Sequence, residues 1–407
     1  MSRIRRHARF RRPAPFAALA GTAVLAVALT ACGGGDSSSS GDAKSDLASR
    51  KKMEISVNLT GSQAKAGRPV KVTLADGTLS SVTVTDAKGG KLGGKVAPDG
   101  RTWTSDRVAA PGTSYTVEAK EAKGATAKAE FATAAAGKVN KVSIVPGKDS
   151  TVGIGQPVSI VFDNPVKNRA DVEKHLKVTT SDNTEGSWGW MQDYSGKDRV
   201  DWRPKEYWKP GTKVTLDADL NGVDSGTSGG WFVKDYKSDF TIGKNQIAKV
   251  DLGSHRLKLY RDGQLLKDIP ISGGTPGGDK ASWRGKTVLM AKEGTINMNS
   301  ETVGLGKTYD KMVDYSMRLT WSGMYAHAAP WNYQHFGVAN MSSGCIGMSD
   351  SDAKFVYGAV QVGDPFEIVG DDAKGTQALN NGYGEWNLGF DAWKAKSALT
   401  GTAATAG

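Results

Sequence analysis

Residues 250–274 read VDLGSHRLKLYRDGQLLKDIPISGG. Leu257 and Leu259 alternate with polar neighbours, and Leu265 follows across Asp262-Gly263. A period of two is strand patterning, and Asp-Gly between two such runs is a hairpin turn. The stretch predicts strand, turn, strand, and starts a β unit near Ile247.

The same pattern fills the chain upstream. MEISVNL, PVKVTLAD, LSSVTVTD, RTWTSD, TSYTVEAK and ATAKAEFAT are short alternating runs within 53–134. Ala75-Asp76-Gly77-Thr78 and Pro98-Asp99-Gly100-Arg101 are turn sequences between them. Strands at this spacing predict a small β-sandwich with Trp103 in its core. After Ala134-Ala135-Ala136-Gly137, a second all-β unit is expected over 139–242, with one short helix inside 166–176. Trp188, Trp190, Trp202, Trp208 and Trp231 admit two readings, sugar stacking or packing within this unit, and packing is the expectation.

At 407 residues, two to four domains are expected. Apolar content is 38% and charged content 23%, enough to fold most of the chain. Helix-length apolar stripes are scarce, so the fold class is mainly β. Downstream of the hairpin, strands are expected at Met317–Trp321 and Asp364–Val369, with a short helix over Asp350–Tyr357 near a Ser349 cap. Trp386, Phe390 and Trp393 fall at spacings of four and three, which suits one face of a short docked helix.

The first 31 residues read as an export leader. Arg3, Arg5, Arg6, Arg9, Arg11 and Arg12 form its basic head, and the apolar run over 16–31 is marginal for a retained membrane anchor. Leu29-Thr30-Ala31-Cys32 resembles the lipobox of bacterial lipoproteins. The resemblance implies cleavage before Cys32 and a diacylglyceryl group on its thiol, holding the chain to a lipid membrane. GGGDSSSSGDAKS then reads as a flexible tether.

Loss of the six leader arginines lowers the formal charge from +11 to +5. That mild excess suits an anionic envelope. With no Arg-rich recognition helix and no zinc-finger spacing, nucleic acid is not an expected partner. There is no HExxH, no Cys/His cluster and no nucleotide loop, so neither metal nor cofactor is called for.

Cys32 and Cys345 are the only cysteines. With Cys32 lipidated, Cys345 has no intramolecular partner, and it reads either as a reactive thiol or as a buried inert residue. A nucleophilic thiol needs a base, an orienting group and oxyanion donors. His7 leaves with the leader, and His175 and His255 read as structural. Sequence distance leaves His327 and His335 both open.

MYAHAAPW, then MSSGCIGM, resembles the catalytic motif of the L,D-transpeptidase family (the YkuD-type domain). His327 is followed by 14 residues, then Ser342-Ser343-Gly344-Cys345. RPKEYWKPGTKV resembles a segment of the immunoglobulin-like modules that precede such domains in actinobacteria. The resemblance implies two immunoglobulin-like β-sandwiches followed by a YkuD-type β-rich catalytic domain and a short helical, Trp-rich C-terminal extension. The expected boundaries are leader 1–31, tether 32–51, modules 52–137 and 138–245, catalytic domain 246–370 and extension 371–407 with a disordered end.

Carried over to these positions, Cys345 is the nucleophile and His327 the base. The Ala328 carbonyl orients the imidazole, and the amides of Ser343, Gly344 and Cys345 line the oxyanion hole. Tyr325, Trp331, Trp321, Met317 and Ser342 are expected around the substrate, and His335 reads as a loop residue. Two positions depart from the family pattern: Ser343 stands where histidine is usual, and Gly347 where asparagine or arginine is usual.

The implied reaction joins peptidoglycan stem peptides 3→3, from a tetrapeptide donor to the amine of a diamino acid. Carbapenems are the implied inhibitors, and a monomer on the outer face of the membrane is expected. The alternatives are an L,D-carboxypeptidase, an enzyme attaching proteins to peptidoglycan, a non-enzymatic wall-binding lipoprotein, and a disulfide-linked dimer through Cys345.

Overall fold

A computed structural model of the chain describes residues 53–370 and 373–400. The leader, Cys32, the tether and the chain end beyond Thr400 lie outside them. Strand alternation becomes layering directly. In Pro69–Leu74 the inward residues are Val70, Val72 and Leu74, and in Ser114–Glu121 they are Tyr115, Val117 and Ala119. Each valine or leucine so buried contributes about 1.5–3 kcal/mol. Two sheets, of four and five strands, close over this core, and Trp103 is 3% exposed within it.

The second sandwich pairs two four-stranded sheets. Trp188, Trp190, Trp202 and Trp208 all lie in its core, which bears out packing over sugar stacking. The fifth tryptophan, Trp231, packs on Gly67 of the first sandwich, where any Cβ would meet the ring at 2.4 Å. Arg107 and Asp235 form an ion pair across the same contact, at 2.6 Å. The expected short helix is Arg169–Glu173.

The hairpin of 250–274 forms as the pattern requires. Asp262 and Gly263 both take positive φ, 51° and 77°, as a two-residue turn of this kind demands. Its strands enter a six-stranded sheet in the order Gln264–Pro270, Arg256–Arg261, Gln246–Asp251, Pro365–Val369, Trp283–Val288, Gly375–Thr376. A second sheet runs Ala291–Asn299, Asp310–Arg318, Tyr325–Ala328, Ile346–Met348. Helix Asp350–Ala359 packs on it, with the Ser349 hydroxyl accepting from the Asp352 amide.

The C-terminal aromatics do not share one helix face. Leu388 is extended, with φ −102° and ψ 134°. It separates the 3-10 turn Gly384–Asn387 from helix Phe390–Lys394. The three rings instead gather around one cation, with the Arg203 guanidinium 4.8, 5.5 and 5.6 Å from Trp386, Phe390 and Trp393. Trp393 is fully buried on Gly189 and donates to the Ser187 carbonyl at 3.0 Å.

Arg199 and Asp201 form a buried ion pair at this junction, and Arg199 also donates to the Gly382 carbonyl. Beside them Glu385 is buried with neither carboxyl oxygen hydrogen-bonded, so burial and the Asp201 charge push it up to about 8. The second sandwich is thereby fastened to the catalytic part of the chain.

Candidate active site

Strand parity places the two reactive groups. Ala326, Ala328, Ile346 and Met348 point into the core, so His327, Cys345 and Gly347 take the opposite face. Tyr325–Ala328 and Ile346–Met348 pair in parallel with His327 opposite Gly347. Cys345, two residues before Gly347, therefore lies on His327's face, one step along the neighbouring strand. The loop between the strands contains the 3-10 segment Pro330–His335.

His327 and Cys345 line one cavity of about 200 Å³ with Tyr309, Lys311, Trp331, Ser342 and Ser343. Both are buried, at 5% and 7% exposure. His327 Nδ1 lies 2.6 Å from the Ala328 carbonyl oxygen. A carbonyl only accepts, so Nδ1 carries the proton and Nε2 is left with its lone pair. Trp331 stacks on the imidazole at 6.0 Å, and Lys311 Nζ sits 4.4 Å from the Trp331 ring centroid. His335 is not among the lining residues. His175 bonds the Asp171 carbonyl and His255 bonds Asn340, and neither histidine lines the cavity.

The loop before Cys345 is pinned on several sides. Ser342 Oγ donates to the Cys345 carbonyl at 2.6 Å and accepts from the Gly344 amide at 3.2 Å. Ser282 Oγ donates to the Gly344 carbonyl at 2.8 Å. Gly344 has φ +116°, a backbone state that side chains rarely adopt, while a Cβ there would have room. Its role is conformational rather than steric. At Gly347 space is the limit: a Cβ would approach that of Ala329 to 2.9 Å.

Neither reactive group is pre-ionised. Burial lowers His327 to about 4 and raises Cys345 to about 11, the latter only partly offset by the Tyr325 amide. A histidine can lower a cysteine's pKa when it is charged; this one is neutral.

Two substrate residues expected from sequence, Met317 and Tyr325, do not line this cavity. Met317 has no exposed surface and belongs to the core. Tyr325 borders the site through its backbone amide beside Cys345, while its ring is buried, the hydroxyl donating to Glu293 and Arg318 lying over its face at 4.6 Å. Trp331 is on the cavity. Trp321, 47% exposed, lines a second cleft of about 490 Å³ on the other side of Ser343 and Gly344. Sequence reading missed Met298, Tyr309, Lys311 and Asn332 as wall residues. Met298, Tyr309 and Lys311 are distant from the motif along the chain, whereas Asn332 directly follows it and carries no chemistry of its own to mark it.

Comparison with known proteins gives the same architecture. The L,D-transpeptidase catalytic domain (YkuD) family matches residues 245–368, and the bacterial Ig domain family (Big_10) matches 61–224. L,D-transpeptidase 2 of Mycobacterium tuberculosis is 33% identical over 338 residues, covering 81% of each chain. L,D-transpeptidase 5 of the same organism is 30% identical, over 83% of this chain and 74% of its own. L,D-transpeptidase 1 is 34% identical over 56% of this chain and 84% of its own. The fold and matches define a mainly β protein with a YkuD-type domain behind an immunoglobulin-like region. The chain belongs to the L,D-transpeptidase family.

Proposed function

We propose that this chain forms 3→3 crosslinks in peptidoglycan through a thioester on Cys345. The observation that carries the reading is one cavity holding a buried thiol and a histidine whose tautomer leaves Nε2 basic. Cys345 Sγ attacks the carbonyl between the diamino acid and terminal D-Ala of a tetrapeptide stem as Nε2 takes the thiol proton. The amides of Ser343, Gly344 and Cys345 hold the oxyanion, and Gly344 must first exchange its long bond to Ser342. His327 returns the proton to the leaving D-Ala amine. A second stem's amine then attacks the thioester, loses a proton to Nε2, and the thiol is restored.

The same thioester chemistry predicts acylation of Cys345 by carbapenems. Lipidated at Cys32 and tethered through 33–51, the modules 52–137 and 138–245 would carry the catalytic domain 246–370 and extension 371–407 outward from the membrane. Among the described residues, no helix is long and apolar enough to cross a membrane.

Incubation with a disaccharide-tetrapeptide should yield crosslinked dimer and free D-Ala in equal amounts. D-Ala without dimer makes the enzyme a carboxypeptidase, and absence of both, from folded protein, removes the enzymatic reading. Acylation should also show an unusual pH profile. His327 must be neutral to accept the proton, so the rate should hold down to about pH 5 and fall only towards pH 4. Stopped-flow acylation from pH 4 to 9 checks this, and a break near 6.5 would contradict a desolvated base.

A further inference from the structure

The turn joining Gly186–Gln192 to Asp198–Pro204 belongs to the second sandwich, and Tyr194 stands on it, 54% exposed. Its hydroxyl makes no hydrogen bond among the described residues, and its ring takes no part in that sandwich's core. It lines the cleft of about 490 Å³ beside the catalytic loop, with Trp283, Trp321, Ser322, Ser343 and Gly344. A residue of the second sandwich thus shares a wall with the loop that precedes Cys345.

The hairpin that carries Tyr194 is held to that wall by a continuous bonded path. Arg199 Nη1 donates to the Gly382 carbonyl at 3.0 Å. The adjacent Asn381 accepts from the Ser322 amide and donates to the Ser322 hydroxyl, both at 2.8 Å. That hydroxyl accepts from Trp283 Nε1 at 3.2 Å. The other strand is fixed by the Trp190 amide donating to the Lys396 carbonyl at 3.0 Å. An exposed aromatic on a braced turn is pre-organised to bind rather than to pack.

The cleft's walls combine three aromatic rings with aliphatic side chains such as Val303 and Leu305, several hydroxyls and backbone, and Lys374 and Asp279 pair at 3.4 Å among its lining. Rings of this kind stack on the C–H faces of sugars while the polar groups take the hydroxyls. We propose that Tyr194 is a positioning residue for the glycan-linked part of the substrate, and that with Trp321 it seats a sugar in this cleft. The proposal rests on the peptidoglycan reading, since the stem peptide that reacts at Cys345 hangs from a sugar.

The test compares acylation of the full chain by a disaccharide-tetrapeptide and by the free tetrapeptide. Tyr194→Ala should raise KM for the disaccharide form about tenfold, with kcat unchanged, since one lost aromatic contact is worth about that factor. The free tetrapeptide should react within about twofold of wild type. Tyr194→Phe, which keeps the ring and loses only an unbonded hydroxyl, should behave as wild type. Equal slowing of both substrates, or no change with either, overturns the proposal. Calorimetric binding of both ligands to Cys345→Ala protein, with and without Tyr194→Ala, gives the same comparison without chemistry. Binding that discriminates the sugar while wild type forms no adduct would sink the enzymatic reading and keep this one.

Discussion

Cys345→Ala protein is expected to form no acyl-enzyme and to lose at least about 10⁴-fold in turnover, as nucleophile deletions do. Its fold should survive, because the substitution removes one buried sulfur from the edge of a cavity that already exists. His327→Ala should cost about 10²–10⁴-fold, since an unassisted thiol held near 11 is almost wholly protonated at neutral pH. The losses should not add, because both groups serve one proton transfer. Intact-protein mass and chromatography of the products read both. An adduct on the Cys345→Ala protein would place the nucleophile elsewhere.

Asp201→Ala is expected to destabilise the chain by about 3–5 kcal/mol, as removal of one partner from a buried ion pair does. Arg199 would keep its carbonyl bond to Gly382 and lose its counter-charge. Glu385 modifies the outcome. Relieved of the Asp201 charge, it should ionise at a lower pH and partly neutralise Arg199. Asp201→Ala combined with Glu385→Gln should therefore be worse than the two singles summed. Urea unfolding of the three variants at neutral pH measures the coupling. Simple additivity would mean that Glu385 does not feel this pair.

The local parts of the fold were legible because their causes are local. Asp262-Gly263 needs positive φ at two residues, and few sequences other than Asp-Gly or Asn-Gly supply it. Ser349 caps a helix with its own hydroxyl. The motif likewise named Cys345 and His327, but their adjacency depends on a parallel pairing of distant strands, which no local pattern encodes. Met317 was misplaced for a related reason. The pairing of its strand shifts register near Gly294, and Tyr315 has φ +53°, so alternation cannot be counted through to a face. The C-terminal aromatics looked helical by spacing, yet Arg203, from another part of the chain, organises them. Tyr194 carried no signal at all: an aromatic on a polar turn is unremarkable until another part of the chain closes a cleft beside it.

The neutrality of the thiol has a further consequence for the life of the protein. Peroxide and alkylating agents attack thiolates, and burial holds the Cys345 thiol well above its usual range, so little of it is thiolate at neutral pH. A thiol held in this state is a poor substrate for sulfenic acid formation. Under the proposed function its reactivity is released by the electrophile that occupies the pocket, and such a nucleophile would persist in oxidising surroundings with no reductant to repair it.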